Sequence, residues 1–202
     1  MKVTVLVEGA GNDNKALRIR CRKAFRSFFE KAGLAGRLPT TVPCGGRNAA
    51  YDRFCTALAN AAVNEFVILL VDSEDTVPSA TDPWQHLRTR DRWQKPQGAT
   101  DDQAHLMVQC MESWFLADRD ALARYFGADF QGTRLAANPQ PEQISKQDVL
   151  DGLRQAARGT KKGEYRKGSH SFDILGQLDP SAVRGACPHA DRLLNTLDSR
   201  CA

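Results

Sequence analysis

The stretch Phe66–Pro78 reads FVILLVDSEDTVP. Six apolar residues, Phe66 to Val71, run without interruption and stop at Asp72, with Glu74 and Asp75 close behind. An unbroken apolar run of this length, bounded by turn-forming residues, is the pattern of a strand covered on both faces. Strands of that kind belong to parallel sheets, and parallel sheets gather their chemistry at the carboxyl ends of the strands. The stretch therefore predicts both a fold and the place of a site.

Working outward, Lys2–Val7 (KVTVLV) is a second β-branched run, ended by Glu8 and Gly9, and Leu38–Cys44 is a third, followed by GGRN. Between them Leu17, Cys21, Ala24, Phe25, Phe28, Phe29 and Ala32 recur at helical spacing, with Asn12 or Asp13 as the expected N-cap and Gly33 as the stop. A second helix is expected from about Asn48 to Asn64, with Tyr51, Phe54, Cys55, Leu58 and Ala62 on its inner face. Strand, helix, strand, helix, strand in this order implies parallel pairing through right-handed crossovers. Asp75–Asp102 breaks the alternation with Pro78, Pro83, Pro96 and Gly98, and reads as an excursion loop with a short helix at PWQHLRTRDRW. His105–Met111 restores a strand, and ESWFLADRDALARYFG is helical with Asp118 as a cap. Ser145 and Asp148 form a capping box before VLDGLRQAAR, and the tail from Ser171 reads as two or three short helices broken at Pro180 and Pro188. The expected architecture is α/β in a single domain: a mainly parallel sheet flanked by helices over about 1–130, and a helical extension over about 140–202.

Bulk composition fits an ordinary globular protein, with 202 residues, 42% hydrophobic and 26% charged. No apolar run approaches the roughly 20 residues that span a bilayer. The N-terminal run is short, interrupted by Thr4 and ended by Glu8, so it reads as a strand and not as a signal peptide. A cytoplasmic protein is expected. The six cysteines are scattered without a C-x-x-C pair, and CPHA at Cys187–Ala190 lacks the second pair a zinc site needs. Net charge is only +4, but Lys15, Arg18, Arg20, Arg22, Lys23 and Arg26 crowd one segment, and TKKGEYRKGSH forms a second basic cluster. Charge alone leaves two readings open, a polyanion site or solvated faces.

Three of the expected strands end in acids: Glu8, then Asp72 with Glu74 and Asp75, then Glu112. A lone acid after a strand is commonly a turn former or an N-cap. Several meeting on one sheet edge would repel and raise one another's pKa, and a hard divalent cation, Mg²⁺ or Mn²⁺, would relieve them. The set Glu8, Asp72 and Glu74 points that way; Glu112 reads equally as a helix-starting carboxylate. Trp84 and Trp93 either stack on bases or pin the long loop. Gly9-Ala10-Gly11 lacks the G-K-[ST] of a phosphate loop, and His105, His170 and His189 show no partner pattern.

VTVLVEG followed by VILLVDSED resembles the Toprim domain of topoisomerases, primases and overcoming-lysogenization-defect nucleases. The wider set is similar to a bacterial family of small Toprim-like proteins, often encoded beside ATPases in phage-defence loci. It comprises VEG, GGR, LVDSED, MESWFLAD, the Y-x-K of Tyr165 and Lys167, and CPHADRLL. The resemblance implies a Toprim-like sheet, Mg²⁺ or Mn²⁺, and cleavage of phosphodiesters in DNA or RNA, transfer RNA included. Glu8 would match the general acid/base, and Asp72 and Glu74 the D-x-D ligands. Glutamate replaces the second aspartate, so Glu74 or Asp75 supplies that ligand. Glu112 and Lys167 would be accessory residues. Lys15, Arg18, Arg22, Arg26, Arg47, Lys161 and Lys162 would contact nucleic-acid phosphates. An ATPase partner is implied and a homo-oligomer stays open. Two rival readings stand beside the nuclease: a non-catalytic Toprim-like module that docks an ATPase or nucleic acid, and a phosphatase or phosphotransferase for small esters.

Overall fold

The structure, a computed structural model, describes residues 1–11 and 14–202. Four strands, β1 (Lys2–Val7), β2 (Thr40–Pro43), β3 (Glu65–Asp72) and β4 (Ala104–Met107), form one sheet in the order β2-β1-β3-β4, every pair parallel. Lys2 aligns with Glu65 and Val7 with Leu70, so β1 and β3 end side by side at the centre of the sheet. Every residue of β3 after Glu65 is buried, as an unbroken apolar run requires.

The strand period of two splits that run between two cores. Phe66, Ile68 and Leu70 join Val3, Val5 and Val7 on one face, beneath Phe25, Phe28 and Phe29 of α1 (Lys15–Phe29). Val67, Leu69 and Val71 join Leu6 on the other, against Phe54 of α2 (Arg47–Ala59) and against Trp84 and Leu87 of α3 (Pro83–Asp91). Both tryptophans are buried. The Trp84 indole donates to the Thr100 carbonyl at 3.0 Å, and Trp93 stacks on Tyr51 with ring centroids 4.5 Å apart. They pin the long loop to the body, and that resolves their two readings.

Several expected boundaries move. The Asn14 side chain caps α1 by accepting the Leu17 N–H at 2.9 Å; the expected caps, Asn12 and Asp13, lie outside the described residues. Gly33, at φ +94°, ends the helical segment as expected. α2 stops five residues early, at Ala59, leaving Ala62 exposed. β4 ends at Met107 and not at Met111, because the chain beyond it turns away to hold the loop after β3: the Met107 and Gln109 carbonyls accept the Ser73 and Glu74 N–H groups at 3.0 and 2.8 Å. Asp118 is a cap as expected: α4 (Ser113–Ala117) ends before it and α5 (Arg119–Phe126) starts after it, with its carboxylate accepting the Ala121 N–H at 3.0 Å.

The rest of the chain is helical: α6 (Lys146–Ala157), α7 (Ser171–Leu175), α8 (Pro180–Ala186) and α9 (Pro188–Arg200). The capping box at Ser145 is present, with the hydroxyl accepting the Asp148 N–H at 3.1 Å. These helices are not an appendage. Leu153, Phe172, Leu193 and Leu197 belong to the same core as Val5 and Phe28, and α9 packs on β4. All six cysteines are free, and the His189 ring binds the Val77 carbonyl at 3.1 Å, as a core histidine does. No described helix is long and apolar enough to cross a membrane.

Candidate metal centre

Because β1 and β3 end in register, the residues after them meet. Glu8 follows β1, its N–H donating to the Leu70 carbonyl at 2.9 Å, and Asp72 ends β3. Glu74 is two residues on, with a left-handed backbone at φ +68°, a conformation that costs a non-glycine residue about 1 kcal/mol or more and tends to persist at functional sites. One oxygen from each of Glu8, Asp72 and Glu74 lies within 4.8 Å of the other two. Among the described residues this is the one cluster of acids, histidines or cysteines spaced for a metal ion.

Each carboxylate is held by a named partner. One Glu8 oxygen accepts the Asp72 N–H at 3.2 Å and faces the Arg47 guanidinium at 3.3 Å. Gly9 and Gly45 exchange backbone hydrogen bonds of 2.8 and 2.9 Å, both with positive φ, and this bridge brings the start of α2 and Arg47 over the end of β1. Asp72, buried, accepts the Met111 N–H at 2.9 Å on one oxygen and faces Lys167 at 3.4 Å and Lys146 at 3.7 Å with the other. Glu74 binds the Lys146 ammonium at 2.6 Å. Glu112 is buried behind Lys167, 3.5 Å from its ammonium, and accepts the Tyr165 hydroxyl at 2.8 Å.

Burial pushes the Glu8 carboxyl up to about 7, reinforced by the Asp72 charge and opposed by Arg47. Burial likewise raises Asp72, against the pull of Lys167 and Lys146. Lys167 moves up as well: burial works against its charge, but Asp72 and Glu112 outweigh it. The ammonium therefore stays charged beside the acids.

Sequence expectations meet this geometry unevenly. Glu8, Asp72, Glu74 and Lys167 converge. Asp75 does not: its side chain is 71% exposed and pairs with Arg90 at 3.5 Å on the surface, so Glu74 is the second acid of the pair. Glu112 reaches the centre only through Lys167 and stands outside the metal-spaced triad. Arg47 is drawn inward instead of facing solvent. Asp91 grips it at 2.7 and 2.6 Å, the Asp72 carbonyl accepts from it, and it lies over the Trp93 ring at 5.1 Å. On α1, Lys15 and Arg22 are exposed, Arg26 pairs with Glu30 at 2.9 Å, and Arg18 reaches the Pro43 carbonyl at 3.5 Å. Lys161 and Lys162 are exposed on the loop that carries Lys167, and Lys162 lies 4.7 Å over the Tyr125 ring. Sequence reasoning missed Lys146, Tyr165, Gln109 and Asp91. Their partners lie 72, 53, 35 and 44 residues away along the chain, beyond any local signal except the Y-x-K motif itself.

A cavity of about 270 Å³ opens on this edge, lined by Glu8, Gly9, Leu17, Asp72, Lys167 and Ser171. A larger one, about 590 Å³, lies between the Thr76–Ser79 loop and the α8–α9 junction; its one acid is Glu142, and it holds none of the clustered carboxylates. The smaller cavity is the one that adjoins chemistry.

A parallel α/β sheet with an acidic, metal-spaced triad at its carboxyl edge defines the class of the molecule. Within it, the chain belongs to the family described as a domain of unknown function, DUF4276, whose pattern matches residues 7–198. No curated protein and no solved structure matches it.

Proposed function

We propose that the protein is a Mg²⁺- or Mn²⁺-dependent nuclease on a Toprim-like sheet, cleaving phosphodiesters in DNA or RNA. The observation that carries this reading is the triad Glu8, Asp72 and Glu74, with ligand atoms within 4.8 Å, beside a cavity that Lys167 also lines. The donor set fits the ion: three hard oxygens and a surplus of negative charge, with no sulfur or imidazole among them. When bound, the ion supplies Lewis-acid polarisation of a phosphoryl oxygen and promotes attack by water. Asp72 and Glu74 hold it. Glu8, titrating near neutrality, takes or gives a proton at its free carboxylate oxygen. Lys167 keeps its charge and faces the cavity, where it offsets the negative charge that develops on the phosphoryl group. Lys15 and Arg22, exposed on α1, contact flanking phosphates without reading sequence.

The resemblance in the sequence extends the proposal to an effector that works with an ATPase partner in antiphage defence in the cytoplasm. One observation favours the second reading, a non-catalytic docking module: Glu74 is already engaged by Lys146. The test is cleavage of plasmid DNA and total RNA with Mg²⁺ or Mn²⁺, with and without the neighbouring ATPase. Cleavage abolished by EDTA and by Asp72→Ala, in a variant that stays folded, supports the nuclease. No cleavage under any of these conditions sinks it.

A further inference from the structure

Lys146 holds the acids together in a way the metal reading does not use. It is the first residue of α6, directly after the Ser145 cap, so its backbone is fixed. Its N–H donates to the Gln109 side-chain oxygen at 3.1 Å, while the Gln109 carbonyl accepts the Glu74 N–H at 2.8 Å. One residue, Gln109, thus anchors both ends of the Lys146–Glu74 pair. The ammonium reaches Glu74 at 2.6 Å and Asp72 at 3.7 Å, two of the three acids in the triad.

The ammonium meets Glu74 at hydrogen-bonding distance and Asp72 at ion-pair distance, so it supplies beside both acids the positive charge that a divalent ion would bring. The Lys146 side chain is 25% exposed, so it has a path to solvent. Lys167 differs. It contacts Asp72 and Glu112 at 3.4 and 3.5 Å and touches Glu74 in neither contact.

We infer that Lys146 is an internal counter-ion that occupies the metal position in the metal-free protein and leaves Glu74 and Asp72 when a divalent cation binds. The inference rests on the metal reading above and adds a competitor to it. The ion must displace a tethered ammonium, which sets the metal concentration at which the centre loads. Once released, Lys146 is a free cation at the mouth of the site, placed to meet an anionic substrate.

The test is Mn²⁺ affinity by calorimetry on the full chain, for wild type, Lys146→Met, Lys146→Arg and Lys95→Met. Lys95 pairs with Asp101 on the surface, and its variant controls for the loss of one positive charge. Lys146→Met is expected to bind Mn²⁺ about tenfold more tightly, the factor worth about 1.4 kcal/mol of removed competition. Lys146→Arg, which keeps the charge, is expected to bind no more tightly than wild type, and Lys95→Met to match it. Without metal, Lys146→Met is expected to melt lower, because the acids lose their counter-ion, and to gain more from Mn²⁺; this readout holds even if that variant is less stable. Equal or weaker Mn²⁺ binding by Lys146→Met, or Mn²⁺ binding by neither protein, overturns the inference. Tighter binding without cleavage by wild type sinks the nuclease and leaves the counter-ion standing.

Discussion

Replacing Arg47 separates two roles for it, clamp and phosphate contact. Its side chain is 14% exposed and spends its donors on Asp91, Glu8 and the Asp72 carbonyl. Removing one member of a buried pair costs about 3–5 kcal/mol when the survivor is left alone. Asp91 is not left alone, since Arg90 stays 2.6 Å away, so that part falls to about 2 kcal/mol. The unmet Asp72 carbonyl adds about 1 kcal/mol. Arg47→Met is thus expected to cost about 3 kcal/mol, and in a chain of this size that is a fall of roughly 6–12 °C in melting temperature. Arg47→Lys, which keeps the charge but loses the two-pronged grip, is expected to recover less than half of it. The assay is metal-free thermal and urea unfolding, with oligonucleotide binding measured over a range of salt. A melting temperature within about 2 °C of wild type, joined to a salt slope smaller by about one, would show that Arg47 serves phosphate and not the fold.

Tyr165→Phe strips the hydroxyl from buried Glu112 and is expected to cost about 2 kcal/mol; a double-mutant cycle with Glu112→Gln should show coupling, and strict additivity refutes it. Asp72→Asn is expected to abolish the Mn²⁺-induced melting shift with the metal-free fold intact, because it removes a buried charge; a retained shift would move the ligands elsewhere. Asp75→Asn should leave Mn²⁺ affinity and cleavage within about twofold of wild type, and a larger loss would return Asp75 to the cluster. Burial pushes Glu142 up to about 7 from 4.5, so the folded state holds that proton more tightly than the unfolded chain does. Its contribution is complete below about pH 4.5 and is lost as pH rises toward 7, by about 1–2 kcal/mol after screening by water in the adjoining cavity. Glu142→Gln should flatten that slope in urea titrations at pH 4.5–7, and an unchanged slope refutes it.

The strands were legible because burial on two faces leaves no polar positions, and β3 shows that in its composition alone. The triad was legible for the same reason: parallel strands in register must end together, so the acids after them meet. The end of β4 was not, since Val108–Met111 stays buried after leaving the ladder and its apolar pattern does not change. Lys146 was hidden for another reason. Its local context, the residue after a helix cap, is that of an ordinary exposed lysine, and only the path of the loop after β3 brings Glu74 to it. Arg47 looked like a phosphate contact because its partner, Asp91, lies 44 residues on, at the end of a helix that was expected but whose docking beside Arg47 no local pattern shows.

The two ammonium groups that face the acids both come from beyond residue 145, whereas three of the four acids lie before residue 75. A ribosome making this chain releases the acids long before their counter-charges. Through most of synthesis the acidic edge has Arg47 beside Glu8 and neither of its lysines. A chain cut short before residue 146 therefore holds Glu8, Asp72 and Glu74 together without either of the lysines that face this centre in the whole fold.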